Sequence, residues 1–296
     1  MMRLRWLVTG ATGQLGGHVI RRLVREPAAG TILALSRRRF DGPSNVQAAS
    51  ADLADEQHLR SLVADFRPTN IVHTAAMTAL NDCCARPADA ERVNTHATRV
   101  LAEAAAECGA HLVFTSTDMV FAGDAAPYRE ADSPHPLSHY GRTKAAAEGI
   151  LAGFDRALTV RLPLMYGFAC TSRETTFARQ IAALRAGQPL RLFTDEYRTP
   201  LWLADAAAAL VALARSDLTG LIHVSGPERL SRIEMVQRFA RVLNIRAPRL
   251  EAASRLSIDA AEPRPADLSL DGAQFAALFP NRAPRPICRE ALVEPS

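Results

Sequence analysis

Apolar positions along this chain fall into short runs separated by segments of a different period. Residues 4–8 form the first run, bounded by Thr9-Gly10. Leu15, Val19, Ile20 and Leu23 then recur at three- and four-residue spacing, which is one face of a helix. Ala28-Ala29-Gly30 marks its expected end. The run TILALS, residues 31–36, predicts a second buried strand, and residues 45–49 a weaker third. Residues 57–66 predict a helix stopped by Arg67-Pro68, and Ile71-Val72-His73 a fourth strand. A long Ala-rich helix is expected over 88–108, closed by Gly109, before a fifth strand at 111–116. A helix at 140–151 and a sixth strand at 158–162 follow. Apolar strands alternating with helices predict an α/β fold, a doubly wound parallel sheet covered on both faces.

After Tyr166-Gly167 the pattern changes. Helices are expected at 176–186 and 203–214, and a strand at 221–224. Another helix is expected at 231–243, with Ser231 as its N-cap. From Arg246 onward Pro and Arg are frequent and regular structure is expected to be sparse. The division is therefore a sheet domain over 1–165 and a smaller α/β lobe over 166–296, from which a segment can return to the sheet. No internal repeat is seen.

The first strand ends in Thr9-Gly10-Ala11-Thr12-Gly13-Gln14-Leu15-Gly16. Glycines at 10, 13 and 16 suit a turn that lets backbone approach a pyrophosphate at a helix N-terminus. Gly10, Thr12, Gly13, Gln14 and Leu15 are thus candidate cofactor contacts. The second strand runs into Ser36-Arg37-Arg38-Arg39 without the acidic residue that bonds an adenosine ribose. Arg37 and Arg38 would pair with a 2′-phosphate, which favours NADP(H) over NAD. The other reading of the arginines is a solvated basic turn. Asp52-Leu53 would meet the adenine, or Asp52 would cap the next helix.

Composition narrows the function classes. The chain has 296 residues, 48% hydrophobic and 22% charged, which suits a folded protein that needs neither disulfide nor metal for its core. No apolar run nears the roughly 20 residues of a membrane span. The N-terminal apolar stretch is too short for a signal peptide and runs straight into the glycine turn. Five cysteines, with Cys83 and Cys84 adjacent, make neither a disulfide framework nor zinc spacing. Reduced thiols in the cytoplasm and no metal site are expected. The net charge of +4 is spread along the chain. No nucleic-acid partner is expected, and a phosphate-bearing small molecule suits the charge equally well.

Tyr140-Gly141-Arg142-Thr143-Lys144 places a phenol and an ammonium four residues apart, on one helix face. The ammonium is expected to lower the phenol pKa, so that Tyr140 exchanges a proton with a substrate oxygen near neutral pH. Thr115-Ser116-Thr117-Asp118 supplies a hydroxyl at the end of the fifth strand, the edge where ligands bind in open parallel sheets.

These residues resemble the extended short-chain dehydrogenase/reductases, closest to the dTDP-4-dehydrorhamnose reductase group. The resemblance covers nearly the whole chain. It rests on VTGATGQLG (8–16), DL (52–53), HTAAMT (73–78), VN (93–94) and STDMVFAGDAAPYREADSPHPLSHYGRTKAAAE (116–148). It implies a Rossmann-like sheet with a C-terminal substrate-binding lobe. It also implies an NADP(H)-dependent reductase of a keto group on a nucleotide-linked or other deoxysugar. Thr117 would polarise the carbonyl, with Ser116 as the alternative. Tyr140 would donate the proton, and Lys144 would hold the nicotinamide ribose. Ala75, Ala76, Asn94 and Pro163 would lie along the cofactor, although Ala75-Ala76 also read as plain packing. Thr78, Met119, Leu164 and Arg198 would meet the ketosugar. Arg198 has a second reading as a surface arginine capping a turn. A homodimer is left open.

The chain departs from that group at Met119, where the group has Tyr, and at Leu164, where it has an aromatic. Less ring stacking on the sugar is implied, so a more apolar or differently substituted ketone than dTDP-4-keto-L-rhamnose is expected. Two other functions fit the resemblance. One is an epimerase or dehydratase that recycles its hydride. The other is a non-catalytic NADP-binding subunit like the regulatory subunit of methionine adenosyltransferase.

Overall fold

The computed structural model describes residues 4–26, 30–170 and 175–293. The chain opens with β1 (Arg5–Thr9), α1 (Gln14–Val24), β2 (Thr31–Ser36), β3 (Val46–Ser50) and α2 (Glu56–Phe66). β4 (Asn70–His73) leads into α3 (Leu80–Ala85) and α4 (Pro87–Glu91). A π-helical turn, Arg92–His96, then joins α5 (Ala97–Cys108). β5 (His111–Thr117), α6 (His139–Leu151) and β6 (Ala157–Leu162) complete the alternating half.

The second half holds β7 (Met165–Tyr166), α7 (Thr176–Arg185), β8 (Leu190–Phe193), β9 (Tyr197–Arg198) and β10 (Leu201–Trp202). It continues through α8 (Leu203–Ala214), β11 (Gly220–His223), β12 (Leu230–Ser231), α9 (Arg232–Val242), β13 (Leu250–Ala253) and α10 (Ala273–Leu278). The main sheet has seven strands in the order β11-β6-β5-β4-β1-β2-β3, and all its pairings are parallel. This is the doubly wound fold predicted from the alternation. The order reverses between β1 and β4, so the crevice for a ligand opens beyond the C-terminal ends of these two strands.

The apolar stripe of α1 does what its spacing predicts: Leu15, Val19, Ile20 and Leu23 are buried. They share a core with Val8, Val113 and Val160 of the sheet and with Leu203, Leu210 and Leu213 of α8. The opposite face is covered by α2 and α5, where Leu59, Val63, Val100 and Leu101 meet Leu33, Ile71 and Phe114. A third core, around Tyr166, Phe177, Phe239 and Leu292, holds the C-terminal lobe. Ser231 caps α9 as expected, and Glu234 completes a reciprocal capping box.

Several elements differ from the sequence reading. The single helix expected over 88–108 is interrupted by the π turn at Asn94. Residues beyond Arg246 are less bare than expected, since β13 pairs in parallel with β8 and α10 packs Phe275 into the core. The helix stop read at Ala28-Ala29 lies outside the described residues.

Candidate functional site

The glycine turn has a steric basis. Gly10 adopts φ +73, in the left-handed region, and a Cβ there would stand 2.8 Å from the Ala75 nitrogen. At Gly16 a Cβ would stand 2.2 Å from the Gly10 carbonyl oxygen. Only glycine lets the turn, α1 and the loop after β4 close together. The N-cap of α1 is Gly13, with no capping side chain and no acidic residue in the first turn. That leaves the positive end of the helix suited to an anion.

The turn forms one wall of a cleft of about 2190 Å³ that runs along the C-terminal edge of the sheet. This volume exceeds the ~300–1,000 Å³ of a pocket for one small ligand and suits an extended cofactor with a second molecule beside it. Gly10, Thr12, Gly13, Gln14, Leu15, Arg37, Arg38, Asp52, Leu53, Ala75, Ala76 and Pro163 all line it. So do Thr78, Thr117, Met119, Tyr140, Lys144, Leu164 and Arg198.

At the β2 end, Ser36 Oγ donates to the Arg38 carbonyl at 2.6 Å and Ser50 Oγ to the Arg37 carbonyl at 3.3 Å. The backbone is fixed while both guanidinium groups are exposed. Among the described residues neither Arg37 nor Arg38 forms an ion pair, whereas Arg39 pairs with Asp41 at 3.0 Å. Asp52 does not cap α2. Asp55 does, accepting from the His58 nitrogen at 3.0 Å.

Asn94 departs from its expected place. It is only 1% exposed and lies behind the cleft wall. Its Oδ1 accepts from the Met77 nitrogen at 2.8 Å, and its Nδ2 donates to the Met77 carbonyl and to Thr143 Oγ1, both at 3.0 Å. The side chain is fully engaged, and the π turn aims it there. It ties the loop after β4 to the helix that carries Tyr140 and Lys144.

At the end of β5 the two neighbouring hydroxyls separate. Ser116 donates to buried Glu148, which is held by Arg161 at 2.7 Å. Thr117 Oγ1 donates to Asp118 Oδ1 at 3.1 Å, accepts from the Met119 nitrogen at 3.2 Å and is hydrogen-bonded to Tyr140. A threonine has one hydroxyl proton. With it on Asp118, the phenol must be the donor to Thr117. The result is a chain of hydroxyls from Tyr140 through Thr117 to Asp118.

Electrostatics at the pair differ from the sequence expectation. Burial pushes the Tyr140 phenol up, Asp118 and Cys83 add to the rise, and the bond that Thr117 would give a phenolate opposes it. The lowered phenol expected from the four-residue spacing is therefore not found. Lys144 is itself pushed down to about 7 by burial, with Glu148 opposing. Its Nζ lies 3.9 Å from the centre of the Phe114 ring. A desolvated ammonium of this kind cannot lower its neighbour's pKa by much, because its own charge is disfavoured.

A charged cluster at the lobe side of the cleft is largely absent from the sequence reading. Arg198 lies 3.4 Å from Asp118 and 3.6 Å from Glu196. Arg232 and Arg264 converge on the same Glu196, at 3.7 Å and 2.7 Å. Arg198 is buried rather than a surface cap. Burial raises Asp118 to about 6, with Arg198 opposing. Three arginines against two carboxylates leave one net positive charge facing the cleft. Only the segment around Arg198 is flagged by sequence; Arg232 and Arg264 come from distant elements.

Residues 3–294 match the family described as the RmlD substrate binding domain. The chain belongs to this family. The match bears out the resemblance carried by residues 8–16 and 116–148. A Streptomyces antibioticus family relative named a probable dTDP-4,6-dihydroxy-2-methyloxan-3-one 4-ketoreductase is 31% identical over 294 residues. That alignment covers 97% of this chain and 94% of the relative. The methionine adenosyltransferase 2 subunit beta of Xenopus laevis is 30% identical over 276 residues, covering 90% of this chain and 80% of that protein. A solved dTDP-4-dehydrorhamnose reductase from Bacillus anthracis, in complex with NADP, superimposes with a TM-score of 0.78 at 25% identity. It covers 94% of this chain and 93% of its own.

Proposed function

We propose that this protein is an NADP(H)-dependent oxidoreductase that reduces a keto group on a nucleotide-linked deoxysugar. The observation that carries the reading is the convergence of Thr117, Tyr140 and Lys144 in one cleft with the glycine turn. The glycine turn fits a dinucleotide, because Gly10, Gly13 and Gly16 line the cleft and α1 opens at Gly13 with no capping side chain and no acidic residue in its first turn. NADPH, when bound, supplies the hydride. When the ketone enters, Thr117 turns its one proton from Asp118 to the carbonyl oxygen, and Tyr140, released from Thr117, donates to the same oxygen and gives it a proton. Developing negative charge on that oxygen is stabilised by the two hydroxyls. Lys144 holds the ribose side of the cofactor, Pro163 and Ala75-Ala76 flank it, and Arg198 faces the substrate's phosphates. Five free cysteines suit the reducing cytoplasm. Among the described residues no helix is long and apolar enough to cross a membrane.

A screen of ketosugar nucleotides with NADPH oxidation as readout tests this reading. Turnover of at least one is expected, and none across the screen would overturn it. The alternative is a subunit of a larger enzyme. It is favoured by the likeness to methionine adenosyltransferase 2 subunit beta. Stable capture of a partner enzyme without any ketosugar turnover would select it.

Cofactor choice gives one prediction. Arg37 and Arg38 are exposed at the cleft with no carboxylate partner among the described residues, so NADPH should bind more tightly than NADH. Replacing both by Ala should narrow that gap. Titration of both cofactors decides it, and equal affinity in wild type would remove the arginine argument.

Substrate choice gives another. Met119 and Leu164 offer no ring face to the sugar, although both bury apolar surface. A ketone more apolar than dTDP-4-keto-L-rhamnose should be preferred. The Streptomyces antibioticus relative is named for a 4,6-dihydroxy-2-methyloxan-3-one, a ring without the hydroxyl that a 4-keto-6-deoxyhexose carries at oxane position 5, which is consistent with this. The difference should be modest, since one changed apolar contact is worth about 1–3 kcal/mol of discrimination. The highest kcat/KM falling on dTDP-4-keto-L-rhamnose would sink the idea.

A further inference from the structure

Three segments far apart in sequence meet beside the start of the helix that carries Tyr140. α3 brings Cys84, His139 is the first residue of α6, and the C-terminal segment brings Glu262. The Cys84 sulfur, a ring nitrogen of His139 and a carboxylate oxygen of Glu262 all lie within 4.8 Å of one another. His139 Nδ1 is 2.7 Å from Glu262 Oε1, which also accepts from the His139 backbone nitrogen at 2.7 Å. The Glu262 side chain is 10% exposed. Its other oxygen, Oε2, is buried without a hydrogen-bond partner. A buried carboxylate oxygen left without a partner is costly.

Arg142 is the cation already nearby. Its Nη2 is 2.7 Å from His139 Nδ1 and 3.3 Å from Glu262 Oε1. These contacts compete for one nitrogen. Nδ1 carries either a proton or a lone pair. With a proton it donates to Glu262 and cannot accept from Arg142. With a lone pair it accepts from Arg142 and confronts the carboxylate oxygen lone pair to lone pair. A metal ion removes the conflict, since it takes the Nδ1 lone pair and the carboxylate together. The Arg142 side chain is about half exposed, at 48%, and has solvent to move into.

We propose that Cys84, His139 and Glu262 bind one divalent ion of the zinc class. A thiolate, an imidazole and a carboxylate are the donors zinc prefers, and a water or Glu262 Oε2 would complete four-coordination. Magnesium and calcium take oxygen donors and suit this set poorly. The ion clasps the start of α6 to the segment leading to Arg264 and Pro265, both of which line the cleft. It takes no part in proton transfer. Cysteine spacing could not reveal the site, because each ligand comes from a different stretch of chain.

The test is a titration of the chelator-treated full-length protein with cobalt(II), followed by displacement with zinc. One equivalent should bind, with thiolate-to-cobalt charge-transfer absorption that zinc removes. Cys84→Ser should lose that absorption while keeping its circular dichroism, and Cys83→Ser should keep both. Glu262→Gln removes a ligand oxygen and should weaken zinc binding by more than the roughly 10–100-fold lost with a mere second-shell partner. Arg142→Ala removes the competing cation and should bind zinc more tightly. Absence of charge transfer in wild type, its persistence in Cys84→Ser, or zinc affinity unchanged or lowered in Arg142→Ala would each overturn the proposal.

Discussion

Tyr140→Phe should lower single-turnover reduction at saturating NADPH by about 10²–10⁴-fold, the range for losing a general acid. The substitution removes one oxygen and leaves the ring. The oxygen is the donor at the head of the hydroxyl chain through Thr117 to Asp118. Because burial holds the phenol well above its ordinary range, Tyr140 stays protonated through neutral pH. A phenol held in that form suits a proton source and not a resting phenolate. Cofactor affinity and thermal stability should change little, which separates a chemical defect from a folding defect. A variant turning over within about threefold of wild type would remove Tyr140 from the mechanism.

Gly16→Ala should abolish measurable NADPH binding. The added methyl carbon would stand 2.2 Å from the Gly10 carbonyl oxygen and 2.9 Å from Thr74 Oγ1. The first of these is backbone in the turn itself, so no side chain can swing aside to relieve it. α1 must tilt away or the turn must open, and either movement displaces the amides that would meet a pyrophosphate. Overpacking of this kind costs about 1–3 kcal/mol, which should lower Tm by several degrees in a chain of this size. Isothermal titration alongside thermal melts checks both effects. Wild-type affinity in a normally stable variant would show that the turn does not carry the phosphates.

Legibility in the sequence followed the physics of each element. β2 and α8 were predictable to the residue because each is a long apolar stretch with one period and clear stops. β9, β10 and β12 are two residues long and exist only through partners elsewhere in the chain, so no local period marks them. The π turn at Arg92–His96 was hidden because one wider turn leaves the apolar spacing of its flanks helical; its Asn94 bonds Met77 and Thr143 across the chain. The glycines and the Tyr140–Lys144 spacing were readable since local geometry imposes them. The direction of the Tyr140 shift was not, because burial of both members outweighs their proximity. Arg232 and Arg264 were invisible for another reason. Their meaning lies in Glu196, which gathers them from separate segments.

The seating of β11 at the edge of the main sheet has a consequence for modularity. β11 pairs with β6 from Gly220–Leu158 to His223–Arg161, and α8 covers the sheet face that α1 shares. A polypeptide ending after residue 165 would leave β6 with a bare edge and Val113, Val160 and Leu158 without their lid. Such a fragment offers neighbouring molecules an open strand and an oily surface. A lobe exchanged for another therefore has to keep α8 and β11 with the sheet.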